Sequence, residues 1–144
     1  MMALISKDIK IVTVEKDEKR YLEALKNIKK LKLEDQITIL FQDALTLNLK
    51  EKFDLIFIDA AKAQNKNIFN RFSNNLNKKG FILTDNLNFH GMVSLPNEEI
   101  PSRNLRQLVR KIKNYIDFLK DNEKYVTRFY DIGDGISVTW KKGE

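Results

Sequence analysis

The chain has no cysteine, a single histidine at position 90, two prolines and five glycines among 144 residues. Without cysteine there is no disulfide, no thiolate metal site and no cysteine nucleophile, a usage that fits a reducing cytoplasm. No apolar run approaches the roughly 20 residues that cross a bilayer, so no membrane partner is expected. The first residues, Met1-Met2-Ala3-Leu4-Ile5-Ser6-Lys7-Asp8, carry neither a basic leader nor an apolar core of signal length, which predicts a cytoplasmic location. Phosphate-cradling motifs are missing as well: none of Gly80, Gly91, Gly133, Gly135 and Gly143 falls in a G-x-G-x-x-G or Walker sequence.

What is present reads as globular: 42% of residues are hydrophobic and 32% charged, and 144 residues fit one domain spanning 1–144. Lysine and arginine number 26 against 20 acids, a net charge of +6 that favours approach to a polyanion such as RNA. The same surplus also serves solubility alone.

Strands alternate with helices, which argues for an α/β sheet. Ile9 to Glu15 is rich in β-branched residues and reads as a buried strand, with Asp17 placed to cap the next helix. Tyr21, Leu22, Leu25, Ile28 and Leu31 recur at helical spacing. Gln36 to Phe41 is a second strand, followed by a turn at Gln42-Asp43-Ala44. Phe53 to Asp59 is a third, apolar almost throughout, as a parallel strand covered on both faces should be. A helix is expected over Asn65 to Leu76, closed at Lys78-Lys79-Gly80, with a strand from Gly80 to Asp85. Asn88 to Pro101 reads as a mobile loop. A long amphipathic helix from Ser102 to Asp121 presents Leu105, Leu108, Val109, Ile112, Ile116 and Leu119 on one stripe and Arg103, Arg106, Arg110 and Lys113 elsewhere. Tyr125 to Ile132 and Ile136 to Lys141 form an antiparallel ending around Gly133-Asp134-Gly135.

Two of these strands end on acids, Asp59 and Asp85, the latter followed by Asn86. If the strands are parallel neighbours, a right-handed crossover sets their carboxyl ends side by side, where open α/β sheets bind ligands. Two carboxylates and an amide oxygen are hard donors suited to Mg²⁺. Each residue also has a plainer meaning, Asp59 as a helix cap and Asp85-Asn86 as turn formers. Lys62 supplies the basic neighbour that two close acids require. Glu15, at the end of the first strand, can accept from both ribose hydroxyls of a nucleotide-like cofactor, or it is an exposed turn residue. Asp43-Ala44 can face an adenine edge, or form an Asx turn. His90 is read as structural or solvent-facing.

Val14-Glu15, Gln42-Asp43-Ala44, Phe53 to Lys62 and Leu83-Thr84-Asp85-Asn86, in this order, resemble the divalent-metal-dependent O-methyltransferases of the catechol and caffeoyl-CoA type. Within them, Asp85 to Gly91, Arg103-Asn104-Leu105-Arg106 and Gly133-Asp134-Gly135-Ile136 look like the bacterial branch that methylates 5-hydroxyuridine in tRNA. The resemblance implies a Rossmann-like methyltransferase sheet, mostly parallel with an antiparallel carboxyl-terminal strand. It implies S-adenosylmethionine and Mg²⁺ as cofactors. Asp59, Asp85 and Asn86 would be the metal ligands, Lys62 the general base, Glu15 the ribose ligand and Asp43-Ala44 the adenine side, with Asp59 also beside the cofactor. A homodimer acting on tRNA or a small hydroxylated substrate is implied too.

The chain departs from that pattern at Gln42, where glycine is usual, and around Asn65, where tyrosine is usual. It also lacks the family's first strand and glycine-rich loop, as though truncated at the amino terminus. That strand belongs mid-sheet, between the strands ending at Glu15 and Asp59, so the expectation is a metal-capable chain with weak or no cofactor binding unless another chain fills the gap. Methylation of small catechols is one alternative. A non-catalytic basic module binding RNA is another.

Overall fold

β-Branched residues crowd two short segments near the start of the chain, and both are strands in the computed structural model, which describes residues 2–143. The chain divides into two compact units, one ending at Asn48 and the other beginning at Leu49.

In the first unit β1 (Ile11–Glu15) and β2 (Ile37–Phe41) pair in parallel, from Ile11 opposite Ile37 to Glu15 opposite Phe41. The helix between them, α1 (Glu18–Lys30), starts where the Asp17 side chain accepts from the Arg20 N–H at 2.9 Å. That bond satisfies one of the amides a helix start leaves open. The expected apolar stripe is there, but no α1 residue is buried, and Leu22 and Leu25 are exposed. β1 is likewise only half-buried. Two strands and one helix leave one side of this small sheet without a cover of its own, which explains the difference from the buried strand that β-branching suggests.

The second unit is a four-stranded sheet in the order β3 (Phe53–Ile58), β4 (Leu76–Thr84), β6 (Ile136–Lys141), β5 (Tyr125–Tyr130). β3 and β4 are parallel, and β6 is antiparallel to both its neighbours. Helices α2 (Asn65–Phe72) and α3 (Arg103–Lys120) supply the core side. Ile58, Phe69, Leu76, Ile82, Ile112, Tyr115, Leu119 and Tyr125 form one buried cluster there. Phe69 is its hub, edge-on to Phe118 at 5.4 Å and to Tyr125 at 5.3 Å. Each such side chain contributes roughly 1.5–3 kcal/mol by leaving water.

Three expectations change here. The helix after β3 is shorter than its pattern, ending at Phe72, and a 3-10 turn over Ser73–Asn75 leads straight into β4 at Leu76. Lys78-Lys79-Gly80 therefore lies inside a strand instead of closing a helix. The turn is held early because the Tyr125 hydroxyl donates to the Ser73 carbonyl at 3.1 Å. Gly80 is needed for space: a Cβ there would lie 2.9 Å from the Asp54 carbonyl oxygen and 3.0 Å from that of Phe53. The parallel register also slips at this point, between Phe53 and Leu55.

The second change concerns β3. Among the described residues it is an edge strand paired only with β4, and Phe57 is 45% exposed, with Phe81 at 39%. Strand alternation turns these two away from Ile58 and Ile82, which face the helices. Third, the segment expected as a loop contains two 3-10 turns, Met92–Ser94 and Asn97–Glu99. It is anchored at Ile100, which is buried and whose carbonyl accepts from Arg106 Nη1 at 2.8 Å.

Candidate functional site

The parallel register ends with Ile58 opposite Thr84, so the next residue of each strand, Asp59 and Asp85, leaves the same end of the sheet. Asp85 N–H reaches back to the Ile58 carbonyl at 3.4 Å. Beyond Asp59 the chain turns through Ala60 and Ala61 into a 3-10 turn that begins at Lys62. This brings the lysine back over the strand ends. Its Nζ donates to Asn86 Oδ1 at 2.8 Å and to the Asp85 carbonyl at 3.4 Å, and it stands 3.9 Å from Asp59 Oδ1. The lysine side chain is only 13% exposed, against 58% for Asp59, so the cation is the inner member of the group.

The Asp85 carboxylate accepts from the Asn86 N–H at 2.6 Å, which helps hold Asn86 at a left-handed φ of 58°. Asparagine tolerates that conformation better than most residues because its short side chain bonds locally. Beneath the site, Thr84 Oγ1 and the Tyr115 hydroxyl lie 3.0 Å apart, both buried. Burial pushes the Tyr115 phenol up to about 12.

Gly133-Asp134-Gly135, a reversal by its sequence and a segment of the family resemblance without an assigned role, is part of the same constellation. Asp134 accepts from Asn86 Nδ2 at 3.4 Å and from the His90 N–H at 2.6 Å, while its own carbonyl accepts from the Asn88 N–H at 2.8 Å. An acid flanked by two glycines is the signal that could have found it. His90 itself turns its side chain largely to solvent. Asn65 is buried, and its Oδ1 has no hydrogen-bond partner among the described residues.

Glu15, Asp43 and Ala44 belong to the first unit. Glu15 is the last parallel rung, opposite Phe41, and its Oε1 accepts from the Asp17 N–H at 2.8 Å. Asp43 makes the Asx turn, accepting from the Leu45 N–H at 2.9 Å, and its other oxygen is 3.3 Å from Lys16 Nζ. The Leu45 N–H, and then Lys16, hold its carboxyl below the usual carboxylate value. Gln42 N–H bonds to the Glu15 carbonyl, so the two acids share one end of their sheet.

Among the described residues no three His, Cys, Asp or Glu side chains cluster as a metal site. A cation at the Lys62 pocket would therefore depend on two carboxylates and an amide oxygen. Those are hard donors, and two of them, on Asp59 and Asn86, already converge on one positive charge.

Comparison with known proteins identifies the family. A family model described as O-methyltransferase matches residues 1–142 and so runs through both units. A caffeoyl-CoA O-methyltransferase from Stellaria longipes is 30% identical over 136 residues, covering 89% of this chain and 50% of that enzyme. The chain thus spans about half the length of its plant relative. A Staphylococcus aureus protein described as a caffeoyl-CoA O-methyltransferase superposes with a TM-score of 0.90 at 37% identity, over 97% of this chain and 68% of that one. A Podospora anserina methyltransferase bound to S-adenosylhomocysteine shares the fold, with a TM-score of 0.83 at 21% identity over 93% and 61% of the two chains. With acid-ended parallel strands meeting at one lysine and a family model matched nearly end to end, this chain belongs to the O-methyltransferase family.

Proposed function

We propose that the chain takes part in S-adenosylmethionine- and Mg²⁺-dependent O-methyl transfer, with 5-hydroxyuridine in tRNA as the acceptor. The observation that carries this reading is the convergence of Lys62 Nζ on Asn86, Asp85 and Asp59 at the end of a parallel strand pair. Asp59, Asp85 and Asn86 fit a hard divalent cation by the chemistry of their oxygens. When bound, the cation would lower the pKa of the acceptor hydroxyl and orient it, and S-adenosylmethionine would supply the methyl group.

The residues of the chain do the rest. Lys62 takes the hydroxyl proton at Nζ, an atom already withdrawn from bulk water beside the acceptor oxygens. Negative charge on Asp59 and Asp85 favours a sulfonium nearby. Glu15 holds the ribose hydroxyls, and Asp43, kept ionised by the Leu45 N–H and Lys16, lies with Ala44 on the adenine side.

The tRNA reading is supported by the net charge of +6 and by exposed Arg103, Arg110 and Lys111 on α3. Arg106 is spent on the Ile100 carbonyl and is not counted. Among the described residues no helix is long and apolar enough to cross a membrane; a cytoplasmic homodimer is proposed from the sequence and its family resemblance alone. The names of the plant and staphylococcal relatives favour a second reading, a small catechol-type acceptor. Tritium-methyl transfer to tRNA lacking the modification, set against a catechol, separates the two. Label in tRNA that falls about 100-fold or more in Lys62→Met is expected; label in catechol alone ends the tRNA reading.

A further inference from the structure

The Asn86 side chain lies between two groups of opposite hydrogen-bonding character. On one side the Lys62 ammonium can only donate, and on the other the Asp134 carboxylate can only accept. One orientation of the amide satisfies both, with Oδ1 toward Lys62 at 2.8 Å and Nδ2 toward Asp134 at 3.4 Å. Turned over, it would set donor against donor and acceptor against acceptor.

We propose that Asp134 is a positioning residue that fixes which end of the Asn86 amide faces the Lys62 pocket. This rests on the reading of Asn86 as an oxygen ligand of a divalent cation, since only Oδ1, and not Nδ2, can serve a hard metal ion. The anchoring is built for the purpose. Asp134 is only 18% exposed and also takes the His90 N–H at 2.6 Å, so its carboxylate is gripped from two points of one loop. The backbone locks the same contact, because Asn88 N–H donates to the Asp134 carbonyl and Leu87 N–H to that of Gly135. Gly135, at a φ of 77°, permits the approach: a Cβ there would lie 2.9 Å from the Asn88 nitrogen. Asn86, Phe89 and His90 all hold positive φ values of 48–58°, a strained run that persists only where surrounding contacts over-determine it. Residues 48 apart in sequence thus decide one amide's direction.

The test uses Mn²⁺ alone as the probe, read by the loss of the free-ion electron paramagnetic resonance signal, together with the Asn86 side-chain NH₂ signals in ¹⁵N-asparagine-labelled protein. Asp134→Asn keeps the shape but presents an amide nitrogen to Asn86 or His90. Its expected effects are a displaced Asn86 NH₂ pair and Mn²⁺ affinity about tenfold weaker or more, as loss of a ligand-orienting partner gives. With Asn86→Asp, whose carboxylate offers an oxygen whichever way it turns, Asp134→Asn should no longer weaken Mn²⁺ binding. A role for Asp134 in folding alone keeps the loss in both backgrounds.

Wild-type Mn²⁺ affinity in Asp134→Asn, with affinity lost in Asn86→Ala, overturns the positioning role and leaves the ligand reading intact. Equal Mn²⁺ binding by wild type and Asn86→Ala overturns the ligand reading instead. In that case the NH₂ pair decides the positioning claim, and an unmoved pair in Asp134→Asn overturns it as well.

Discussion

Replacing Tyr115 by phenylalanine should reverse its effect on stability with pH. The hydroxyl is buried and 3.0 Å from Thr84 Oγ1, so at neutral pH its loss leaves a buried oxygen short of a partner, at a cost of about 1–2 kcal/mol. Alkali changes the balance. The phenol ionises at its ordinary 10.0 in the unfolded chain but only at about 12 in the folded one. Below pH 10 both states are protonated and the tyrosine's contribution is whole. Above it the unfolded state alone releases a proton, and stability falls with each further step of pH. The loss is about 1.4 kcal/mol at pH 11 and somewhat over 2 kcal/mol at pH 12. Wild type, the more stable protein at pH 8, should therefore meet Tyr115→Phe between about pH 11 and 12 and fall below it beyond that. Urea unfolding followed through Trp140, the sole tryptophan, reads this in the second unit. Parallel pH profiles for the two proteins would show that Tyr115 is not the buried neutral phenol described here.

Gly80→Ala should destabilise the second unit by about 1–3 kcal/mol, because the added methyl meets two strand carbonyls that cannot swing aside. A shift below a few tenths of a kcal/mol in the same urea titration would mean that the β3–β4 junction can open at that point. Ser102 accepts from the Leu105 N–H at 3.2 Å at the start of α3, and Ser102→Ala should remove about 1 kcal/mol. Amide hydrogen exchange in the first turn of α3 is the sharper readout, and unchanged protection there would discount the cap.

The candidate site was legible where one short pattern fixed the local structure. Apolar runs ending at Asp59 and Asp85 could be parallel neighbours or not, and the register of Ile58 with Thr84 shows that they are. Lys62 was readable because the turn after the strand is so short. The beginning of β4 was not, since Asn74, Asn75, Asn77, Lys78 and Lys79 are poor strand formers. Tyr125 holds the turn before the strand, and Asn77 Nδ2 donates to Asp54 Oδ1 across to β3. Gly80 was misread for a related reason. Glycine signals left-handed backbone and close approach alike, and only a second segment tells them apart. Tyr115 escaped the apolar stripe of α3 because its polar tip disguises a ring that is 2% exposed. The partners of Asp134 were beyond local reasoning, since they lie in a loop more than forty positions earlier.

The outer edge of β3 has a consequence for handling the protein. Among the described residues a strand with one ladder partner leaves outward backbone groups without a sheet partner, and Phe57 within it adds an apolar surface, the combination that recruits further strands. Opposing this is the net charge of +6, whose repulsion between molecules acts over about 10 Å at 0.1 M salt and about 3 Å at 1 M. Salt, usually added to keep a basic protein in solution, should here lower the concentration at which it clouds.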